Sequence, residues 1–326
     1  MPDAIGGYFE LELRKGLHPY PHAVGFNSAR SAFRALLMAR QLRKVYLPHY
    51  ICGVMQDTLD DTGIEVARYC LSETWQLEHL PALASDESIV FVDYFGLMTD
   101  YIRQVLAPQY KHQLIVDNSQ ALFSEPLPTI ATFYSPRKFV GVADGGWLLN
   151  APADLPTPPD SRSQARFGAL LGRLEDAPHQ HYDAFQANEQ ALQTEGVKAM
   201  SASTARLLDS IDYAQVSQQR MSNLTRLRQH LDHHNHFTSW PARPVAALCY
   251  PLLLASAQAA ECLRAHLLEH AIYVPRYWPD VLQAPTTPVV EKHWAQCLLP
   301  LPIDQRYRVE DMDRLANTIL QHTRKS

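Results

Sequence analysis

The sequence predicts an α/β protein: a mainly parallel sheet with helices on both faces, then a smaller C-terminal α+β unit. Three observations carry this. Ser88–Tyr94 (SIVFVDY) and Leu114–Asp117 are continuous apolar, β-branched runs, the pattern of strands buried on both faces. Strand-like and helix-spaced runs alternate through the first half of the chain, which argues for βα units winding a parallel sheet. A proline-rich link at Ala151–Pro159 and a Trp240-Pro241 break then punctuate the chain. The division expected is 1–235 for the large unit and 236–326 for the small one.

Taken in order, Tyr8–Leu13 alternates and reads as an edge strand or an extended arm. Pro19 and Pro21 break the chain before Phe26. Asn27 or Ser28 then caps a helix whose Ala32, Phe33, Leu36 and Leu37 recur at helical spacing. Val45–Leu47 is a short strand ending at Pro48, and Ile64–Tyr69 is the next. A helix through Ile102, Val105 and Leu106 leads to the Leu114–Asp117 strand. Ala131–Tyr134 and Trp147–Leu149 complete the set. Residues 162–213 read as helical, and a further helix runs over 216–233. His230, His233, His234 and His236 at its end read as a solvated helix terminus rather than a metal site, because no carboxylate or cysteine pattern accompanies them. In the small unit, strands are expected at Ala246–Leu254, Ile272–Val274 and Cys297–Leu301, with helices at Gln258–His270 and Val309–His322.

Composition narrows the class. The 326 residues are 46% hydrophobic and 19% charged, with a net charge of −5, which is ordinary for a globular chain and offers nucleic acid no basic stripe. Five widely spaced cysteines form no CxxC pair, so neither a disulfide framework nor a zinc knuckle is suggested. The N-terminus lacks a basic region followed by an apolar one, and no run is long enough to span a bilayer, so a cytoplasmic location is expected.

In parallel sheets ligands bind beyond the carboxyl ends of the strands. Arg30, Tyr50, Asp117, Gln120 and Lys138 all follow or flank such ends. Ser28, Ala29, Arg30 and Ser31 open a helix with backbone N–H groups, two hydroxyls and a guanidinium, which suits a phosphate, although for this stretch alone plain capping with a surface arginine is the favoured reading. Lys138 lies just past a strand and a Ser135-Pro136 turn, with Gly145-Gly146 beyond. Pyridoxal 5′-phosphate uses all of these groups. A lysine bonds its aldehyde, an aspartate keeps its ring nitrogen protonated, a helix terminus takes the phosphate and an aromatic covers the ring.

These motifs resemble those of the DegT/DnrJ/StrS sugar aminotransferases, of the aspartate-aminotransferase fold (fold type I). Ser28–Phe33 is similar in position and partly in type to the family's phosphate motif, Pro48-His49-Tyr50 to its Pro-x-Tyr entry, and Val116–Ala121 to its Glu-Asp-x-x-Gln/His-Ala motif at all but the first position. Phe133–Lys138 resembles its Ser-Phe-x-x-x-Lys motif, and Leu298–Leu301 with Val309–Asp313 its closing strand and helix. The resemblance implies a seven-stranded-type sheet, Lys138 as the Schiff-base lysine, Asp117 at the pyridine nitrogen, Gln120 beside the ring, and a homodimer. It also implies amino transfer from glutamate to a keto-sugar, nucleotide-linked or not. The sequence departs from the pattern at Arg30, where the family has Thr, and at Phe133, where Ser135 stands in for the missing serine. It departs again at Val197–Ser201, where Lys198 substitutes for the family's Asn and Arg. The alternatives are a cofactor-binding or sensory relative without turnover, and a nucleotide-binding α/β domain, for which no GxGxxG or Walker pattern is present. A sugar dehydratase would carry histidine where Lys138 stands.

Overall fold

A computed structural model describes residues 5–60 and 62–323. Seven strands form one sheet: β1 (Val24–Phe26), β2 (Lys44–Pro48), β3 (Glu65–Tyr69), β4 (Glu87–Val92), β5 (Leu114–Asn118), β6 (Ala131–Tyr134) and β7 (Gly146–Leu149). Their order across the sheet is β1-β7-β6-β5-β4-β2-β3, and β7 alone runs against its neighbours. β4 and β5 are buried along their whole length, as their unbroken apolar runs require. Register sets Asp117 beside Phe133 and Asn118 beside Tyr134, so β5 and β6 end together.

The helices of this layer are α1 (Ala29–Ala39), α2 (Gly53–Asp60), and α3 (Thr99–Tyr101) and α4 (Ala107–Tyr110) joined by a π-helical turn at Ile102–Leu106. Ser28 caps α1, its hydroxyl accepting from Ser31 N at 3.1 Å, while Phe33, Leu36 and Leu37 turn inward. Where the sequence predicts one helical stretch over 162–213, the chain makes α5 (Gly168–Glu175), α6 (Tyr182–Thr194) and α7 (Ala202–Asp209). The stretch is interrupted after α6, where Gly196 takes a positive φ and Asn27 binds the passing backbone.

α8 (Tyr213–Leu231) joins this layer to the C-terminal one, buried along Val216, Arg220, Asn223, Leu224, Leu227 and Leu231. There β8 (Cys249–Leu253) pairs antiparallel with β9 (Leu298–Pro302). α9 (Ala257–Glu269), α10 (Val289–Cys297) and α11 (Val309–Thr323) surround the pair. Arg226 of α8 binds Asp313 of α11 at 2.6 Å. The strand expected at Ile272–Val274 does not form. Arg264 donates to the carbonyls of Val274 and Pro275, so that backbone is held by a guanidinium rather than a neighbouring strand. Tyr8–Leu13 is likewise unpaired, an extended arm with Tyr8 and Phe9 fully exposed. Among the described residues no helix is long and apolar enough to cross a membrane.

The glycine pair has a steric cause. A Cβ on Gly146 would lie 2.2–2.4 Å from the backbone of Ser28 and Ala29, so β7 can cross the entrance of α1 only as glycine. Asp144, just before it, is buried and accepts from Ser201 N at 2.9 Å, from the Ser201 hydroxyl at 2.8 Å and from the Thr204 hydroxyl. The strand-to-strand turn is thereby fastened to the start of α7.

Candidate active site

Lys138 ends a 3₁₀ turn, Pro136–Lys138, that follows β6 directly, its N–H donating to Ser135 O at 3.2 Å. Its side chain is exposed on the wall of a cavity of about 1100 Å³. Asp117, at the end of the neighbouring strand, is buried and accepts from Ser119 N at 2.8 Å. Burial pushes its carboxyl above the usual range, and the Lys138 ammonium pulls it back. Gln120 follows in the same loop. Its Oε1 accepts from Phe95 N at 3.1 Å, but its Nε2 is buried with no acceptor among the described residues. A buried amide donor without a partner costs about 1–3 kcal/mol, so its persistence marks a place for a polar group.

Ser28, Ala29 and Ser31 stand at the N-terminus of α1, across β7 from this loop. Lys198 is brought to them by the backbone: Asn27 N donates to Lys198 O at 2.9 Å, and Lys198 N to Asn27 Oδ1 at 3.3 Å. The Lys198 ammonium lies 3.4 Å from Glu195, which Arg166 also binds. Ser135 is buried at the foot of the Lys138 turn.

Of the sequence-derived residues, Lys138 alone lines the large cavity. Arg30 faces a separate cavity of about 270 Å³ with Ser31, Asp57 and Gln193. Tyr50 is wholly enclosed, its ring 4.7–6.0 Å from those of Trp75, Tyr94, Trp278 and Trp294. Four rings cover it on the side where an open ring face is expected.

Sequence reasoning missed the far wall of the cavity. Arg220 of α8 is 1% exposed and donates to Gln305 Oε1, to the carbonyls of Ala247 and Leu248, and to Phe139 O at 3.3 Å. Gln305 Nε2 reaches the same Phe139 carbonyl at 2.8 Å. The residue after Lys138 is thus tied to α8 and to the segment following β9. With carbonyls and an amide as acceptors, burial lowers the Arg220 guanidinium to about 10. The signal for it was present: Arg220 and Asn223 interrupt an otherwise apolar stripe on α8. Arg137, Arg173, Arg206 and Arg306 also line the cavity, opposite the apolar Phe167, Leu170 and Phe185. The cavity therefore joins a reachable amine and several arginines to an apolar wall, with the buried Asp117 carboxyl acting on the amine from behind it and Gln120 outside the lining.

No protein-family model and no curated protein matches the chain. Solved structures do. An aminotransferase described as DegT DnrJ EryC1 StrS, from Brucella abortus, aligns at 16% identity and a TM-score of 0.63, over 92% of this chain and 86% of that one. Helicobacter pylori PseC, an aminotransferase of pseudoaminic acid biosynthesis, aligns at 15% identity and 0.63, with the same coverage. NtdA from Bacillus subtilis, with bound cofactor PMP, aligns at 14% identity and 0.62, over 92% of this chain and 72% of its own. At such identities the likeness is one of fold, and the fold is the aminotransferase one that the sequence predicts.

Proposed function

We propose that the chain is a pyridoxal-phosphate-dependent aminotransferase that moves an amino group from glutamate to a keto-sugar. One observation carries the reading: the Lys138 amine, exposed on the wall of the large cavity, lies close enough to the buried Asp117 carboxyl at the end of the adjacent strand to hold its proton affinity down. The fold neighbours support it, one of them holding the cofactor in its amine form, PMP.

The residues present fit the cofactor. Asp117 suits a protonated ring nitrogen, and the Gln120 Nε2 suits a ring substituent that accepts a hydrogen bond. The start of α1, with Ser28, Ala29 and Ser31, offers backbone N–H groups and a positive dipole end to the phosphate, and Lys198 is held beside it through Asn27. Arg30 contributes through its backbone rather than through its side chain, which faces the smaller cavity. When bound, the cofactor supplies an electron-poor ring that takes up the charge left at the substrate carbon after deprotonation. Lys138 is the residue that would hold it covalently, and its amine would take and return the proton at the substrate carbon. Arg220 and Gln305 keep the lysine's turn in place while it does so.

Arg137, Arg173, Arg206 and Arg306 line the cavity, three of them paired with Glu189, Glu10 and Asp304, and a nucleotide-linked sugar as the acceptor would bring phosphates that compete for those pairings. Tyr8, Phe9, Leu171 and Leu174 leave apolar surface open on one side of the molecule, and a second copy of the chain would cover it. Adding glutamate to cofactor-loaded protein is expected to abolish its visible absorbance and release 2-oxoglutarate stoichiometrically. Bound cofactor whose spectrum ignores glutamate and other amino donors would instead identify a binding protein without turnover.

A further inference from the structure

The residues of the structure that best match a metal-ligand set lie far in sequence from Lys138, on the last turn of α9. His266 and His270 are one helical turn apart and therefore share a face, with Glu269 beside them. One ligand atom from each of the three lies within 4.8 Å of the other two. None of the three lines the large cavity.

Three further features shape this cluster. His270 Nδ1 lies 2.8 Å from the backbone carbonyl of His266. Donation there fixes the tautomer and turns the lone pair of Nε2 outward, the arrangement in which metal-bound imidazoles are commonly held. The cluster sits at a helix C-terminus, where the dipole favours a cation. The ring of His322, from α11, stacks on that of His266 with centroids 4.8 Å apart and so fixes its orientation from a second helix. Arg314, which reaches His270 O at 3.5 Å, and the Glu269 carboxylate, 3.8 Å from His266 Nδ1, are the charged groups beside it.

We propose that His266, Glu269 and His270 bind a divalent cation of the zinc class at the end of α9. Two imidazoles and one carboxylate select borderline transition metals over magnesium or calcium, which prefer all-oxygen cages. Glu269 is largely exposed, so water completes a tetrahedral shell. The proposal is independent of the aminotransferase reading, because it involves none of the residues assigned to the cofactor.

The test is calorimetric titration of Zn²⁺ into chelator-stripped full-length protein, with Mg²⁺ as the control cation. One saturable site is expected, with no Mg²⁺ response and at least about tenfold weaker binding in both His270→Ala and Glu269→Gln. At free Zn²⁺ a hundredfold above the dissociation constant, the unfolding equilibrium should shift about a hundredfold toward the native state. Cys262, exposed one turn before His266, and the histidines near 230–236 are rival ligands. Cys262→Ser and His233→Ala should therefore leave the affinity unchanged. Absence of saturable Zn²⁺ binding overturns the assignment. So does binding that survives both α9 substitutions or disappears with Cys262→Ser.

Discussion

Replacing Lys138 by alanine is expected to lower amino transfer by about 10⁴-fold, the upper range for loss of a positioned acid–base group, with the unfolding midpoint unchanged. The two effects separate because the side chain is exposed over the cavity rather than packed in the core. The turn that carries it is held by backbone groups, Lys138 N to Ser135 O and Phe139 O to Arg220 and Gln305, and alanine keeps all of them. Steady-state kinetics with glutamate and a keto-sugar, alongside thermal unfolding, measure both. Added methylamine should restore part of the lost rate by supplying a diffusible base. A variant within tenfold of the wild type would remove Lys138 from the chemistry.

The second large effect concerns stability and its dependence on pH. Glu291 of α10 is fully buried among aromatic residues, accepting from Leu71 N at 2.7 Å while its other oxygen has no partner among the described residues. Burial raises its carboxyl from 4.5 to about 7, against the opposing Leu71 N–H. The native state therefore binds a proton more tightly than the unfolded chain. This contribution to stability is complete below about pH 4.5 and is lost as the pH rises through 7, an effect on the order of 3 kcal/mol. Glu291→Gln keeps an acceptor for Leu71 N and removes the ionisation. It is expected to match the wild type near pH 4 and to exceed it by about 3 kcal/mol at pH 8 in urea unfolding. Equal pH dependence in the two proteins would contradict the assignment.

What could be read from the sequence follows from how local its cause is. The buried runs of β4 and β5, the Ser28 cap, and Asp117 and Lys138 just past strand ends are set by neighbours in the chain, and the structure places them as the pattern implies. Ile272–Val274 shows the opposite case. An apolar, β-branched triplet is the same in a strand or an extended loop, and what decides is Arg264, ten residues away, taking its carbonyls. Tyr50 read as a ring cover because it follows a strand, but Trp75, Trp278 and Trp294 reach it from distant segments. The partners of Arg220 and Glu291 were hidden for the same reason, since Phe139 and Leu71 are 81 and 220 residues away. A charge on an apolar stripe announces that a partner exists without saying which. The Gly145-Gly146 pair lies between these cases. The pair itself stands out beyond Lys138 in the sequence, but that Gly146 lies against the backbone of Ser28 and Ala29 is set by a segment more than a hundred residues away.

The most direct measurement reduces cofactor-loaded protein with borohydride, digests it and locates the fixed cofactor by peptide mass spectrometry. The label is expected on Lys138 alone, in stoichiometric yield, and absent when Lys138 is replaced by alanine. Label on another lysine, or none in a protein with visible cofactor absorbance, would contradict the account of this site.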